Sequence, residues 1–221
     1  MPKIRMWPVV AFILLAAAVM LGVVAAHTDL LTTPDQQISI NLHDLDSGWV
    51  HTVVSTVSLA LSPAIGVAII IVWTCALVLR DRRLAALSTF VTLCAGWGAA
   101  QVLKHLIDRP RPPYEVADGP SYPSGHTALA VAVVFAAVFL ARKTDRRDAA
   151  LTLGTLLVAL VMFSRVILGA HYLTDTVGAV LASSGAIVLA AGIWQTAAPW
   201  LVRRSGLVAH VDLAHVDEAP R

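Results

Sequence analysis

The chain has 221 residues, 57% of them hydrophobic and only 14% charged, with a mean hydropathy of +0.75. A soluble domain carries about a quarter charged residues, so a soluble globular protein is excluded and an integral membrane protein with one compact all-α domain is expected. The net charge of +2 says little; no nucleic-acid partner is expected, and the placement of the charges matters more than their sum.

A membrane-spanning helix needs about 20 apolar residues. Six segments qualify in chain order: residues 7–26, 64–79, 84–103, 125–141, 149–168 and 174–194, the second and fourth by extension through uncharged neighbours. The first has a basic start and small residues at Ala25 and Ala26, as a signal peptide does. Its apolar run is long for a signal h-region, so a retained span is expected. Residues 27–61 form the longest loop. Within it Leu42, Leu45, Trp49, Val53 and Val57 recur at helical spacing, which predicts one short interfacial helix acting as a lid or brace. Cys75 and Cys94 fall inside apolar spans and read as small buried hydrophobes rather than a disulfide framework. In the last span Gly178, Ala182 and Gly185 are expected to let helices approach closely. Residues 1–203 then form a six-span domain, and residues 204–221 a polar cytoplasmic tail.

Lys and Arg orient these spans. With the N-terminus inside, the inner segments hold Lys3, Arg5, Arg80, Arg82, Arg83, Arg142, Lys143, Arg146, Arg147, Arg203, Arg204 and Arg221. The outer segments hold only Lys104, Arg109, Arg111 and Arg165. The positive-inside rule therefore predicts both termini in the cytoplasm. The outer exceptions are informative, because three belong to polar blocks at span edges and Arg109 lies beside one. Charges that resist the topological bias point to a function that holds them there.

The three blocks are Lys104 with Arg111-Pro112, then Pro123-Ser124-Gly125-His126, then Ser164-Arg165 with His171 and Asp175. All lie on the outer side, where loops from three helix pairs can converge; Pro110 and Pro112 end the helix that carries Lys104. A phosphate monoester carries roughly −1.5 to −2 charges at neutral pH, which Lys104, Arg111 and Arg165 complement. Arg forks suit phosphate oxygens, and Lys acts as a point charge. Ser124 can cap the following helix, whose free N–H groups and dipole favour an anion, and Gly125 lets backbone approach the ligand. His171 and Asp175 are four apart and share a face if helical. A carboxylate on one ring nitrogen leaves the other as an outward lone pair, which makes His171 a nucleophile toward phosphorus. His126 is the available acid for the leaving oxygen and the base for the later water. No cluster of carboxylates suits a two-metal site, and His27, His43, His51, His105, His210 and His215 show no ligand spacing, so metal-independent chemistry without a cofactor is expected.

At these residues the chain resembles the type 2 phosphatidic acid phosphatase superfamily, which includes membrane lipid phosphatases and soluble vanadium haloperoxidases. The pattern K-x6-R-P, P-S-G-H and S-R-x5-H-x3-D is matched at every fixed position, from Lys104 to Asp175. The resemblance implies a six-helix bundle with an extracytoplasmic active site. It implies His171 as nucleophile, Asp175 as its orienter and His126 as acid/base, with Lys104, Arg111, Ser124, Gly125 and Arg165 holding phosphate. A lipid phosphate in the bilayer is the expected substrate. Bacterial family members of this size often cleave polyprenyl diphosphates, with phosphatidate or phosphatidylglycerophosphate as the alternative. Thirteen Arg against three Lys agree with a GC-rich bacterial source, hence a bacterial plasma membrane. A non-catalytic anionic-lipid binder or a transporter would need the cations but not the acid/base set.

Overall fold

The computed structural model describes residues 6–114, 118–141 and 144–205, with side chains described to residue 197. Among them are eight helices and no strand: α1 Trp7–His27, α2 Asp29–His43, α3 Gly48–Ala60, α4 Pro63–Leu79, α5 Arg83–Ile107, α6 Gly125–Ala141, α7 Arg147–Ile167 and α8 Leu173–Ser205. Prolines open α1 and α4 within their first two positions, where the missing N–H has no intrahelical partner to lose. α5 stops where Asp108 turns into the left-handed region at φ 48 and closes onto the Lys104 carbonyl at 3.1 Å. Pro110 and Pro112 then prevent any continuation.

α6 is the centre of the bundle, packed against α5, α7 and α8. Residues 127–132 are all buried. Ala100, Ala128 and Ala179 bring α5, α6 and α8 together, while Ile70, Leu93, Val131 and Ile187 fill the core towards α4. α1 lies along α8, burying Ala11, Ala18, Gly22 and Ala25. The small residues of α8 serve two purposes. Gly185 faces Leu14 and Leu15 of α1, whereas Gly178 faces the Tyr122 ring, which also lies against Gly22. Outward-facing positions are apolar instead of polar, with Phe12 72% and Val72 66% exposed. A water-soluble bundle reverses that arrangement, and the chain is a multi-pass membrane protein.

α1, α5, α7 and α8 are long and apolar enough to cross a membrane, and α3 with α4, bent by 48°, makes a fifth candidate if the pair is one span. α6 is apolar but has only 17 residues. Enclosed by its neighbours, it meets protein on most of its surface, which relaxes the demand that lipid places on length. The segment expected to hold one interfacial helix holds two. α2 was not foreseen, and α3 begins only at Gly48. Cys75 and Cys94 correct another expectation: both are free and exposed on the outer faces of α4 and α5 rather than buried. The tail expected at 204–221 lies outside the described residues beyond Ser205.

Candidate active site

Each polar block takes its place from a helix end. Lys104 stands on the last turn of α5, and its Nζ donates to the Pro120 carbonyl at 2.7 Å. Arg111 follows in the loop, where Nε donates to the Gly119 carbonyl at 3.0 Å and Nη1 to the Ala170 carbonyl at 3.1 Å. The first of these bonds ties the α5–α6 loop to itself, and the second ties it to the α7–α8 turn. Ser121 N–H donates to the Arg109 carbonyl at 2.8 Å and its hydroxyl to the Pro110 carbonyl at 3.0 Å, so the two halves of that loop are stitched side by side.

Ser124 is the residue before α6, is fully buried, and its hydroxyl accepts from Thr127 N–H at 3.4 Å and the Thr127 hydroxyl at 3.2 Å. That is the N-cap geometry read from the sequence. Its own N–H donates to the Asp175 carbonyl at 3.0 Å, which joins the start of α6 to the start of α8. A side chain at Gly125 would stand 3.3 Å from Gln101 Nε2 and 4.0 Å from Lys104 Cε, so glycine lets the opening turn of α6 lie against the polar end of α5. His126 sits in that turn, with Arg165, His171, Lys104 and Arg111 all within electrostatic reach.

Arg165 stands in the last turn of α7 and donates to the hydroxyl of Ser58 in α3. Its carbonyl receives the N–H groups of Ala170 and His171, at 3.1 and 3.2 Å. His171 is therefore presented by the α7–α8 turn and not, as its spacing from Asp175 suggested, by a helix face: α8 starts two residues later. Asp175 lies in the first turn of α8, and its Oδ2 accepts Tyr172 N–H at 2.9 Å, the reciprocal half of a capping box. The same Oδ2 is 3.4 Å from His171 Nδ1. That approach lacks hydrogen-bond geometry, and Nδ1 has no other partner among the described residues. Burial pushes the His171 imidazole down to about 4 against the pull of Asp175, with Arg165 and Lys104 lowering it further. The ring is neutral at physiological pH, with Nδ1 towards the carboxylate and Nε2 on the side away from it.

Two residues that motif spacing did not assign complete the centre. Arg109 is buried at 2% exposure, its Nη1 2.7 Å from Asp175 Oδ1 and its Nη2 2.8 Å from Asp35 Oδ2. The Tyr172 ring lies 4.2 Å from its guanidinium carbon. Asp35 comes from α2, within a segment that periodicity left as loop. The signal for Arg109 was its outer position beside a block. For Asp35 it was a lone carboxylate in a short polar stretch, which is indistinguishable from a solvated one. His43 of α2 stacks on Tyr114 with centroids 4.1 Å apart and its Nδ1 lies 2.9 Å from the Ile167 carbonyl, bracing α2 on the end of α7. A cavity of about 250 Å³ opens between α2 and the α5–α6 loop, lined by Gln36, Ser39, Ile40, Pro113, Tyr114 and Tyr172.

The eight residues singled out by sequence thus occupy one end of the bundle, on two connected helix junctions, α5–α6 and α7–α8. Residues 84–199 match the model of the PAP2 superfamily, and the chain belongs to that family. A crystal structure described as the first transmembrane PAP2-type phosphatidylglycerolphosphate phosphatase, from Bacillus subtilis, is similar in fold, with a TM-score of 0.73 and 22% sequence identity. The match covers 84% of this chain and 96% of that one. No curated protein matches the sequence.

Proposed function

We propose that the chain is a membrane phosphatase that hydrolyses a lipid phosphate through a phosphohistidine on His171. The observation that supports this best is the neutral, buried His171 facing the Asp175 carboxylate at 3.4 Å, at a junction that also gathers Lys104, Arg111 and Arg165. An anion binder has use for the three cations but none for a buried imidazole–carboxylate pair.

In this reading Lys104, Arg111, Arg165 and the Ser124–Gly125 backbone hold the phosphate oxygens. Lys104 and Arg111 exchange their carbonyl partners, and Arg165 the Ser58 hydroxyl, for a better, charged one. His171 Nε2 attacks phosphorus while the bond from phosphorus to the lipid oxygen breaks, and His126 gives that oxygen its proton. Asp175 stabilises the imidazolium charge that develops. Water then attacks the phosphohistidine, His126 takes its proton, and the phosphorus–nitrogen bond breaks to release phosphate. None of the steps calls for a metal or a cofactor, and activity in excess EDTA is expected.

The six-span layout, with the motifs of residues 104–175 facing outward and both termini in the cytoplasm of a bacterial cell, belongs to the same proposal and rests on the charge asymmetry. Only twelve residues separate Arg111 from Ser124, leaving little chain to cover the site, which suits a long-chain lipid. A polyprenyl diphosphate is the first candidate. Phosphatidylglycerophosphate is the second, favoured by the Bacillus neighbour. Phosphate release by the purified protein from a panel of these lipids and phosphatidate would rank them. Tight binding of all three without release from any would defeat the enzyme reading.

A further inference from the structure

We propose that Asp35 and Arg109 form a positioning strut behind the catalytic pair: Asp35 of α2 holds the Arg109 guanidinium, and Arg109 holds the Asp175 carboxylate that faces His171. The inference rests on the phosphatase reading above and deepens it.

Arg109 is not a fourth phosphate ligand. Nη1 donates to Asp175 Oδ1 at 2.7 Å and to the Thr174 hydroxyl at 2.8 Å, while Nη2 donates to Asp35 Oδ2 at 2.8 Å. One face of the guanidinium is covered by the Tyr172 ring. Asp35 and Asp175 are both at most 2% exposed, so one buried cation stands between two buried carboxylates. Such a triad costs desolvation and adds little net stability; its value lies in geometry. Asp175 has no freedom left: Oδ1 is held by Arg109, and Oδ2 receives Tyr172 N–H.

That matters because the imidazole of His171 is not yet gripped. Its Nδ1 stands 3.4 Å from Oδ2, outside hydrogen-bond geometry. A small rotation of Asp175 decides whether the ring is held or loose, and Arg109 sets that rotation. Asp35 in turn sets Arg109, and is itself fixed by Thr174, whose N–H reaches Oδ1 at 3.2 Å and whose hydroxyl donates to Oδ2. The strut links three distant stretches of chain, α2, the α5–α6 loop and the start of α8. It makes α2 part of the catalytic apparatus and not merely a cover.

The test uses the full chain in detergent, with a polyprenyl diphosphate, phosphatidylglycerophosphate and dioleoyl phosphatidate each in mixed micelles as substrate, and compares wild type with H171A, R109Q, R109K, D35N and D35N/R109Q. A mispositioned catalytic group costs on the order of 10²-fold, so R109Q should lose about that much kcat, with KM held within about twofold because the three phosphate-binding cations are untouched. R109K should not recover it, since one ammonium cannot span Asp35 and Asp175. D35N should lose less, about tenfold, and D35N/R109Q should be no worse than R109Q, because residues acting in series are not additive. Should R109Q fail to fold, D35N and the charge-balanced double variant carry the same comparison.

An R109Q enzyme with wild-type kcat, a rise in KM at constant kcat, or independent addition of the two substitutions would overturn the strut while an inactive H171A left the phosphatase reading intact. Turnover surviving in H171A, or absent in wild type, would overturn that reading and the strut with it.

Discussion

At the scale of single residues, the proposed chemistry divides between two histidines in different settings. His171 lies in a turn, fully buried, while His126 lies half-buried in the first turn of α6. His171→Ala is expected to abolish turnover, because no other group is placed to accept the phosphoryl. His126→Ala removes general acid catalysis, worth about 10²–10⁴-fold, and should be as damaging with a lipid alkoxide. A nitrophenyl phosphate has a good leaving group, so His126→Ala should form the phosphoenzyme from it and then stall. Non-acidic quenching and mass analysis would show phosphate on residue 171 in that variant; phosphate elsewhere would refute the assignment. The pH behaviour follows from the same burial. The unfolded imidazole takes up a proton near 6.5, and the folded one only near 4. Between those values the unfolded state binds more protons, so this group's contribution to stability is complete above about pH 6.5 and is lost as pH falls toward 4. The kcat/KM for nitrophenyl phosphate, corrected for the substrate's own ionisation, should keep the His171 limb near pH 4. A limb near 6.5 would mean that the ring is solvated.

At the scale of elements, the long helices were legible because lipid and core both demand continuous apolar runs: α1, α5 and α7 begin and end within a few residues of the expected spans, whereas α8 begins where expected but runs on to Ser205, well past the expected end at residue 194. α2 was not legible. Its sequence mixes Thr, Pro34, Asp35 and two glutamines, and its place in the bundle depends on contacts that no local pattern records: Asp35 to Arg109, and His43 to the end of α7. The α1–α8 seam shows the opposite case, in which small residues signalled close approach but not which group would fill the space. Gly178 admits an aromatic ring, and the Tyr122 hydroxyl donates to the Ala18 carbonyl of α1. A methyl at position 178 would overlap that ring, so Gly178→Ala should destabilise the protein by about 1–3 kcal/mol, the usual cost of overpacking. Thermal unfolding in detergent would read it as a lowered Tm, and an unchanged Tm would show that Tyr122 can withdraw. Because Tyr122 precedes Pro123-Ser124, some loss of activity is expected with it.

At the scale of the whole molecule, the charge asymmetry predicts the orientation. Single cysteines at Asp118 and Thr144, in a chain with Cys75 and Cys94 replaced by Ala because both are exposed, should label oppositely with an impermeant thiol reagent. Asp118 should react in intact cells and Thr144 only after lysis. Labelling of Thr144 from outside would invert the topology and move the site to the cytoplasmic face. Activity should also persist after dialysis against EDTA: among the described residues no three His, Cys, Asp or Glu side chains come together as a metal site. Loss restored by magnesium, with substrate aggregation controlled, would contradict the proposed mechanism.

The sequence by itself determined the helical class, the apolar exterior and the candidate residues for a site, because each follows from local chemistry. Apolar runs suit lipid, Ser124 caps a helix wherever one starts, and cations at fixed spacing stand at helix ends. Only the tertiary structure decided what surrounds them. It set His171 in a turn rather than on α8, faced both cysteines outward, and set Arg109 between Asp35 and Asp175. Those outcomes depend on groups 74 and 66 residues apart meeting in a buried space, where an unpaired charge is too costly to leave. No local pattern reports which partner it will find.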